Sequence, residues 1–153
     1  LKVSKKNLVI KNRKANYNYI ISEKLEAGIV LNGPEIKAIR NGSVVLDTSY
    51  AGEKSGEIWL FNLNVNLSNV NKDYKSESSR PKKLLLKKKE IKDITQKVKN
   101  NGYTVIPLDI HFNIKGFAKV QLGISKGRKK VDLREYKKQQ DWKRTKERIF
   151  KKQ

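Results

Sequence analysis

The chain has 153 residues, enough for one ordinary domain with its own core, while a second full domain would not fit comfortably. Lys and Arg number 36 against 15 Asp and Glu, a net charge of +21 that repels itself unless a polyanion neutralises it, and nucleic acid is the commonest such partner. No apolar run approaches the roughly 20 residues that span a bilayer. Zero cysteines remove disulfides, thiolate metal sites and cysteine nucleophiles together. Lys2, Lys5 and Lys6 are followed only by Leu8-Val9-Ile10, too short for a signal peptide, so a cytoplasmic location without membrane attachment is expected.

The alternation of Tyr17, Tyr19 and Ile21 predicts a first strand near 17 to 23. A second follows near 25 to 31, with Gly28 permitting a bulge or bend. Pro34 at a first helical turn, Ile36 and Ile39 on one face, and Gly42 beyond the end predict a short helix over 34 to 41. Strands are expected near 44 to 50 and 57 to 65, either side of the hairpin-like break Glu53-Lys54-Ser55-Gly56. The polar stretch 66 to 81 reads as a surface loop. Ile91, Ile94 and Val98 hold helical spacing up to the stop at Gly102, and strands are expected over 103 to 112 and 117 to 124.

Several short strands with two helices suggest a mainly β domain with helices over residues 1 to 124. An oligonucleotide-binding-type β-barrel is its small representative, although a strand count does not prove closure. From Ser125 to Gln153 the chain carries 13 basic and 4 acidic residues. Val131, Leu133, Tyr136, Trp142, Ile149 and Phe150 keep no continuous helical stripe there. Residues 125 to 153 therefore read as a basic C-terminal tail, disordered when free and folding on a partner.

Phosphate-loop, dinucleotide-binding and zinc-protease motifs are all missing, and the sole histidine, His111, reads as a hydrogen-bonded residue at a barrel edge. No catalytic residue, metal, cofactor or small-molecule substrate is expected, and the protein reads as a non-enzyme. The positive signal is charge clustering. Residues 80 to 99 hold nine basic and two acidic residues, and the tail interleaves aromatics with lysines, as RNA binding needs for stacking and phosphate contact. A general or ribosomal RNA-binding barrel fits the same pattern, and a basic membrane-surface protein fits it less well.

Ordered segments then narrow the field: Asn12-Arg13-Lys14-Ala15, Leu25-Glu26-Ala27-Gly28-Ile29, Gly33-Pro34-Glu35-Ile36-Lys37, Asp47-Thr48-Ser49-Tyr50, Lys83-Leu84-Leu85-Leu86, Gly102-Tyr103-Thr104-Val105 and Gly123-Ile124-Ser125-Lys126-Gly127-Arg128-Lys129. Over about residues 11 to 150 the chain resembles the small protein B family, the binding partners of transfer-messenger RNA. The resemblance implies an oligonucleotide-binding-type barrel with flanking helices that holds the tRNA-like domain of that RNA and delivers it to stalled ribosomes for trans-translation. It implies RNA contacts at Glu26, Leu85 and Lys119, with Arg13, Lys83, Lys126, Arg128 and Lys129 as further basic residues of matched segments. A carboxylate accepts from guanine N–H groups or a 2′-hydroxyl, a leucine packs on an unstacked base, and a lysine meets phosphate. The implied ribosome-binding tail carries Asp132, Arg134, Trp142, Ile149 and Phe150 into the small-subunit decoding centre and empty mRNA channel, where it becomes helical. The chain departs from the family pattern at Val131, where a ring is common, at Leu133, where a lysine is usual, and near position 78, where a proline is frequent.

Overall fold

The computed structural model describes residues 8–68 and 77–151. Its elements are β1 (Val9–Lys11), the single turn α1 (Ala15–Asn18), β2 (Tyr19–Ile29), α2 (Gly33–Arg40), β3 (Val44–Val45), β4 (Tyr50–Lys54), β5 (Glu57–Phe61), β6 (Asn64–Asn66), β7 (Glu77–Ser78), β8 (Lys82–Leu85), α3 (Lys88–Asn101), β9 (Thr104–Phe112), β10 (Ala118–Gly127) and α4 (Lys130–Lys151). Six strands form a closed ring. Antiparallel ladders run β9–β10–β2–β8–β5–β4, and Ala51 of β4 pairs with Val105 of β9 to complete it. β1 pairs with the other end of β9, Val9 opposite His111, while β3, β6 and β7 make a small separate sheet.

Alternation fills the ring. Ala27, Ile29, Ile58, Leu60, Leu84, Val105, Ile110, Val120, Leu122 and Ile124 are all buried in one cluster, which α2 joins through Ala38 and Ile39 and α3 through Ile94. Each fully buried Leu or Ile contributes about 1.5–3 kcal/mol by leaving water, so this cluster is a principal source of the ring's stability. The helices start and stop where their caps dictate. Asn32 Oδ1 accepts from the Glu35 N–H and Glu35 Oε1 accepts from the Asn32 N–H, each at 3.0 Å, a complete capping box for α2. α3 ends at Gly102, whose φ of +68° is the left-handed conformation glycine adopts freely.

Glu35 has a second role. It is fully buried, and its Oε2 accepts from Ser78 Oγ at 3.0 Å and lies 3.3 Å from the equally buried Lys82 Nζ, while Oε1 takes the Arg80 guanidinium. The end of the polar stretch 66 to 81 is thereby built into the fold, with β7 paired to β6, instead of lying free on the surface. Residues 69–76 of that stretch lie outside the described residues.

Other boundaries differ from the sequence expectation for identifiable reasons. The strands expected at 17 to 23 and 25 to 31 are one 11-residue strand, β2, preceded by α1. Its register break lies opposite Ile124 and Ser125, near Ser22, so the bulge is not at Gly28, which pairs regularly with Lys119 and Leu85. The segment 57 to 65 divides at Asn62, which takes φ +58°, a conformation asparagine tolerates. The segment 44 to 50 divides where Ser49 donates both its N–H and its hydroxyl to the Leu46 carbonyl, at 3.0 and 2.6 Å.

At the C-terminus the last strand runs on to Gly127, three residues past the expected end, and residues 130–151 form the helix α4. The stripe that holds it is short. Leu133, Tyr136 and Gln140 are half-buried one turn apart, and every described residue from 141 onward is exposed. Tyr136 meets Tyr17 of α1 edge-on at 6.2 Å between ring centroids, and the Arg128 guanidinium lies 4.3 Å over the Tyr136 ring.

Candidate nucleic-acid interface

Register across four strands brings distant residues into one row on the outside of the ring: His111 of β9, Lys119 of β10, Gly28 of β2 and Leu85 of β8. The next row holds Asp109, Gln121 and Glu26. A shallow groove of about 540 Å³ runs along this face, lined among others by Glu26, Gly28, Lys83, Leu85 and Lys119. Four of the residues expected to touch RNA thus share one surface, although 93 positions separate Glu26 from Lys119.

Leu84 takes the inward position and is completely buried, which turns Leu85 outward with 55% of its surface exposed. Gly28 makes room for it, since a Cβ there would stand 3.2 Å from the Leu85 Cβ. An exposed apolar side chain thus stands on the outer barrel face in the same row as Lys119. Glu26 is mostly exposed and holds an acceptor edge toward solvent. Its Oε1 lies 3.9 Å from His111 Nε2, while His111 Nδ1 is hydrogen-bonded to Asp109 Oδ1 at 2.7 Å. His111 therefore stands on this face beside the glutamate. The sequence reading misses that; alternation puts His111 and Asp109 on one side of their strand, but only the β9–β10 register shows that Lys119 shares it.

The remaining basic residues gather elsewhere. Lys126, Arg128, Lys129 and Arg13 cluster around the junction of β10, α1 and α4, and seven residues of strand place Lys126 roughly 23 Å from Lys119. Their side chains are partly engaged within the protein. Lys126 Nζ lies 4.6 Å over the Tyr103 ring. Arg128 donates from Nε to the Asn16 carbonyl at 3.0 Å while covering Tyr136. Lys129 is exposed, and Arg13 flanks a groove with Tyr17, Tyr136 and Arg144.

In the tail, Asp132 accepts from the Lys129 N–H at 3.4 Å, a carboxylate at the helix N-terminus where the macrodipole favours it. Arg134 is exposed. Trp142 and Ile149, two turns apart on one face, are 60% and 54% exposed and Phe150 is 73% exposed, so α4 holds out an uncovered apolar edge flanked by lysines. Lys146 Nζ already sits 5.2 Å over the Trp142 ring. Among the described residues no group of three or more His, Cys, Asp or Glu is arranged to hold a metal, and no helix is long and apolar enough to cross a membrane.

The family model described as SmpB protein matches residues 9–152. The chain is 45% identical over 143 residues to the SsrA-binding protein of Gluconacetobacter diazotrophicus, covering 94% of this chain and 93% of that one. It is 43% identical over 144 residues to the SsrA-binding protein of Ehrlichia canis, covering 94% and 97%. A chain from the solved structure reported as tmRNA-SmpB: a journey to the center of the bacterial ribosome is 37% identical and superposes with a TM-score of 0.64, over 83% of this chain and 92% of that one.

Proposed function

The chain belongs to the SmpB family, and from that premise we propose that it binds the tRNA-like domain of transfer-messenger RNA and delivers it to stalled ribosomes for trans-translation. The observation that carries this is the convergence of Glu26, Leu85 and Lys119 on one exposed barrel face. Glu26 accepts from base-edge N–H groups or a 2′-hydroxyl, Leu85 packs against an unstacked base, and Lys83 and Lys119 meet phosphate. Arg13, Lys126, Arg128 and Lys129 lie at the root of the tail and add positive potential there. The tail, with Asp132, Arg134, Trp142, Ile149 and Phe150, enters the decoding centre and the mRNA channel when no message fills it. The protein acts as an adaptor in the cytoplasm and makes or breaks no bond.

Competition at about 150 mM salt tests the reading, because phosphate contacts weaken steeply with salt and are offered by any RNA, so a preference that persists there reflects specific recognition. The tRNA-like domain outcompetes bulk tRNA by tenfold or more in wild type, and Glu26→Ala loses that margin. Equal competition in wild type leaves a general RNA-binding barrel instead.

A further inference from the structure

Leu85 and Lys119 form a divide. On one side lies the groove with Glu26 and Lys83; on the other, sharing Gly28, Leu85 and Lys119, lies a second groove of about 310 Å³ bounded by Arg40 at the end of α2 and by Phe117 in the β9–β10 turn. Resting on the RNA-binding reading above, we infer that this second groove seats one unstacked nucleotide of the same RNA, its base against Phe117 and Leu85 and its phosphate on Arg40.

Three observations point to a nucleotide. The first is that the aromatic wall is held in place. Phe117 is 63% exposed, yet its N–H donates to Asn113 Oδ1 at 2.8 Å, its carbonyl accepts from the Asn113 N–H at 3.0 Å, and Gly116 turns the chain with φ +85°. An exposed ring on a tied turn loses little freedom when a base stacks on it. The second is an uncommitted cation. Arg40 spreads over the Phe112 ring at 5.1 Å, and among the described residues no carboxylate lies within ion-pair distance of it. Its outward N–H groups are therefore available to an anion. The third is size and continuity. The volume lies at the lower end of ligand pockets, about 300–1,000 Å³, enough for one base, and an RNA strand leaving the Glu26 face crosses Leu85 directly into it.

The test is a titration of the tRNA-like domain against Phe117→Ala, Phe117→Trp, Arg40→Gln and Glu26→Ala over a range of salt. Loss of one stacked base weakens Phe117→Ala by about tenfold with an unchanged salt slope, and Phe117→Trp restores or exceeds wild-type affinity. Arg40→Gln lowers the slope of log affinity against log salt by roughly 0.7–0.9, the value for one phosphate. Far-UV circular dichroism and melting check that each variant is folded; Phe117 and Arg40 are both exposed. Wild-type affinity and slope in folded Phe117→Ala and Arg40→Gln, beside weakened Glu26→Ala, overturn the groove inference and leave the adaptor reading standing. A wild-type chain with no preference for the tRNA-like domain overturns both.

Discussion

Glu35 and Lys82 are the two fully buried charged side chains among the described residues, and they face each other. Burial pushes the Glu35 carboxyl up, but the Asn32 N–H, the Arg80 guanidinium, Lys82 and the Ser78 hydroxyl outweigh it and hold the carboxyl below its ordinary value. Burial also pulls the Lys82 ammonium down, more than Glu35 restores. A carboxyl more acidic in the folded than the unfolded chain contributes stability that is present above its ordinary value of 4.5 and is lost as pH falls through the lower folded value. Glu35→Gln is therefore expected to cost about 3 kcal/mol at neutral pH in urea unfolding, because it strands a buried ammonium. The deficit narrows in the acid range where wild type loses the same charge; an equal deficit at both pH values shows that the charge is not its source. Gly28 obeys a different constraint. Gly28→Ala forces the exposed Leu85 to move by a few tenths of an ångström, which is expected to change stability by less than about 1 kcal/mol while weakening RNA binding. Unaltered affinity in this variant removes Leu85's position over Gly28 from the recognition surface.

Elements announced by local chemistry are legible in the sequence, as α2 and α3 show: Pro34, Gly42 and Gly102 mark their ends, with α2 capped by the adjoining Asn32 and Asn41 and α3 ending at Gly102 itself. Strand breaks at Leu46–Ser49 and Asn62 are not legible, because one side-chain hydrogen bond or one left-handed residue decides each. The candidate site is half legible for a related reason. Glu26, Leu85 and Lys119 come from family resemblance, but their meeting on one face, and the presence of His111 beside them, depend on register across β9, β10, β2 and β8, which no single segment encodes. The tail is the strongest case. Its apolar residues make no stripe along its whole length, yet Leu133, Tyr136 and Gln140 suffice to dock its first turns on α1. A helix held at one end frays from the other. Amides from 143 to 151 are expected to exchange with solvent faster than those from 136 to 140, and Tyr136→Ala should bring the second group to the rate of the first while the barrel's melting temperature stays unchanged. Unchanged exchange over 136 to 140 in that variant rules out the Tyr17–Tyr136–Arg128 junction as the anchor.

At the scale of the whole molecule, the excess positive charge is divided between two surfaces that the single strand β10 joins. Lys130 to Gln153 carries ten basic and four acidic residues, so most of the +21 excess belongs to the barrel and not to the tail. The barrel face around Lys119 and the root of the tail around Lys126 stand roughly 23 Å apart, more than two Debye lengths at physiological salt, and so act on bound polyanions nearly independently. An adaptor that holds one RNA on its barrel while its tail enters the ribosome requires this separation. Counterion release makes it measurable, since each phosphate neutralised adds about 0.7–0.9 to the slope of log affinity against log salt. Deleting residues 132 to 153 is expected to leave both affinity and slope for the tRNA-like domain close to wild type while abolishing tagging of stalled chains, whereas Lys119→Ala in the full chain lowers the slope by about one phosphate. A truncation that lowers the slope by several units shows that the tail neutralises the same RNA as the barrel, and the two surfaces then form one continuous site.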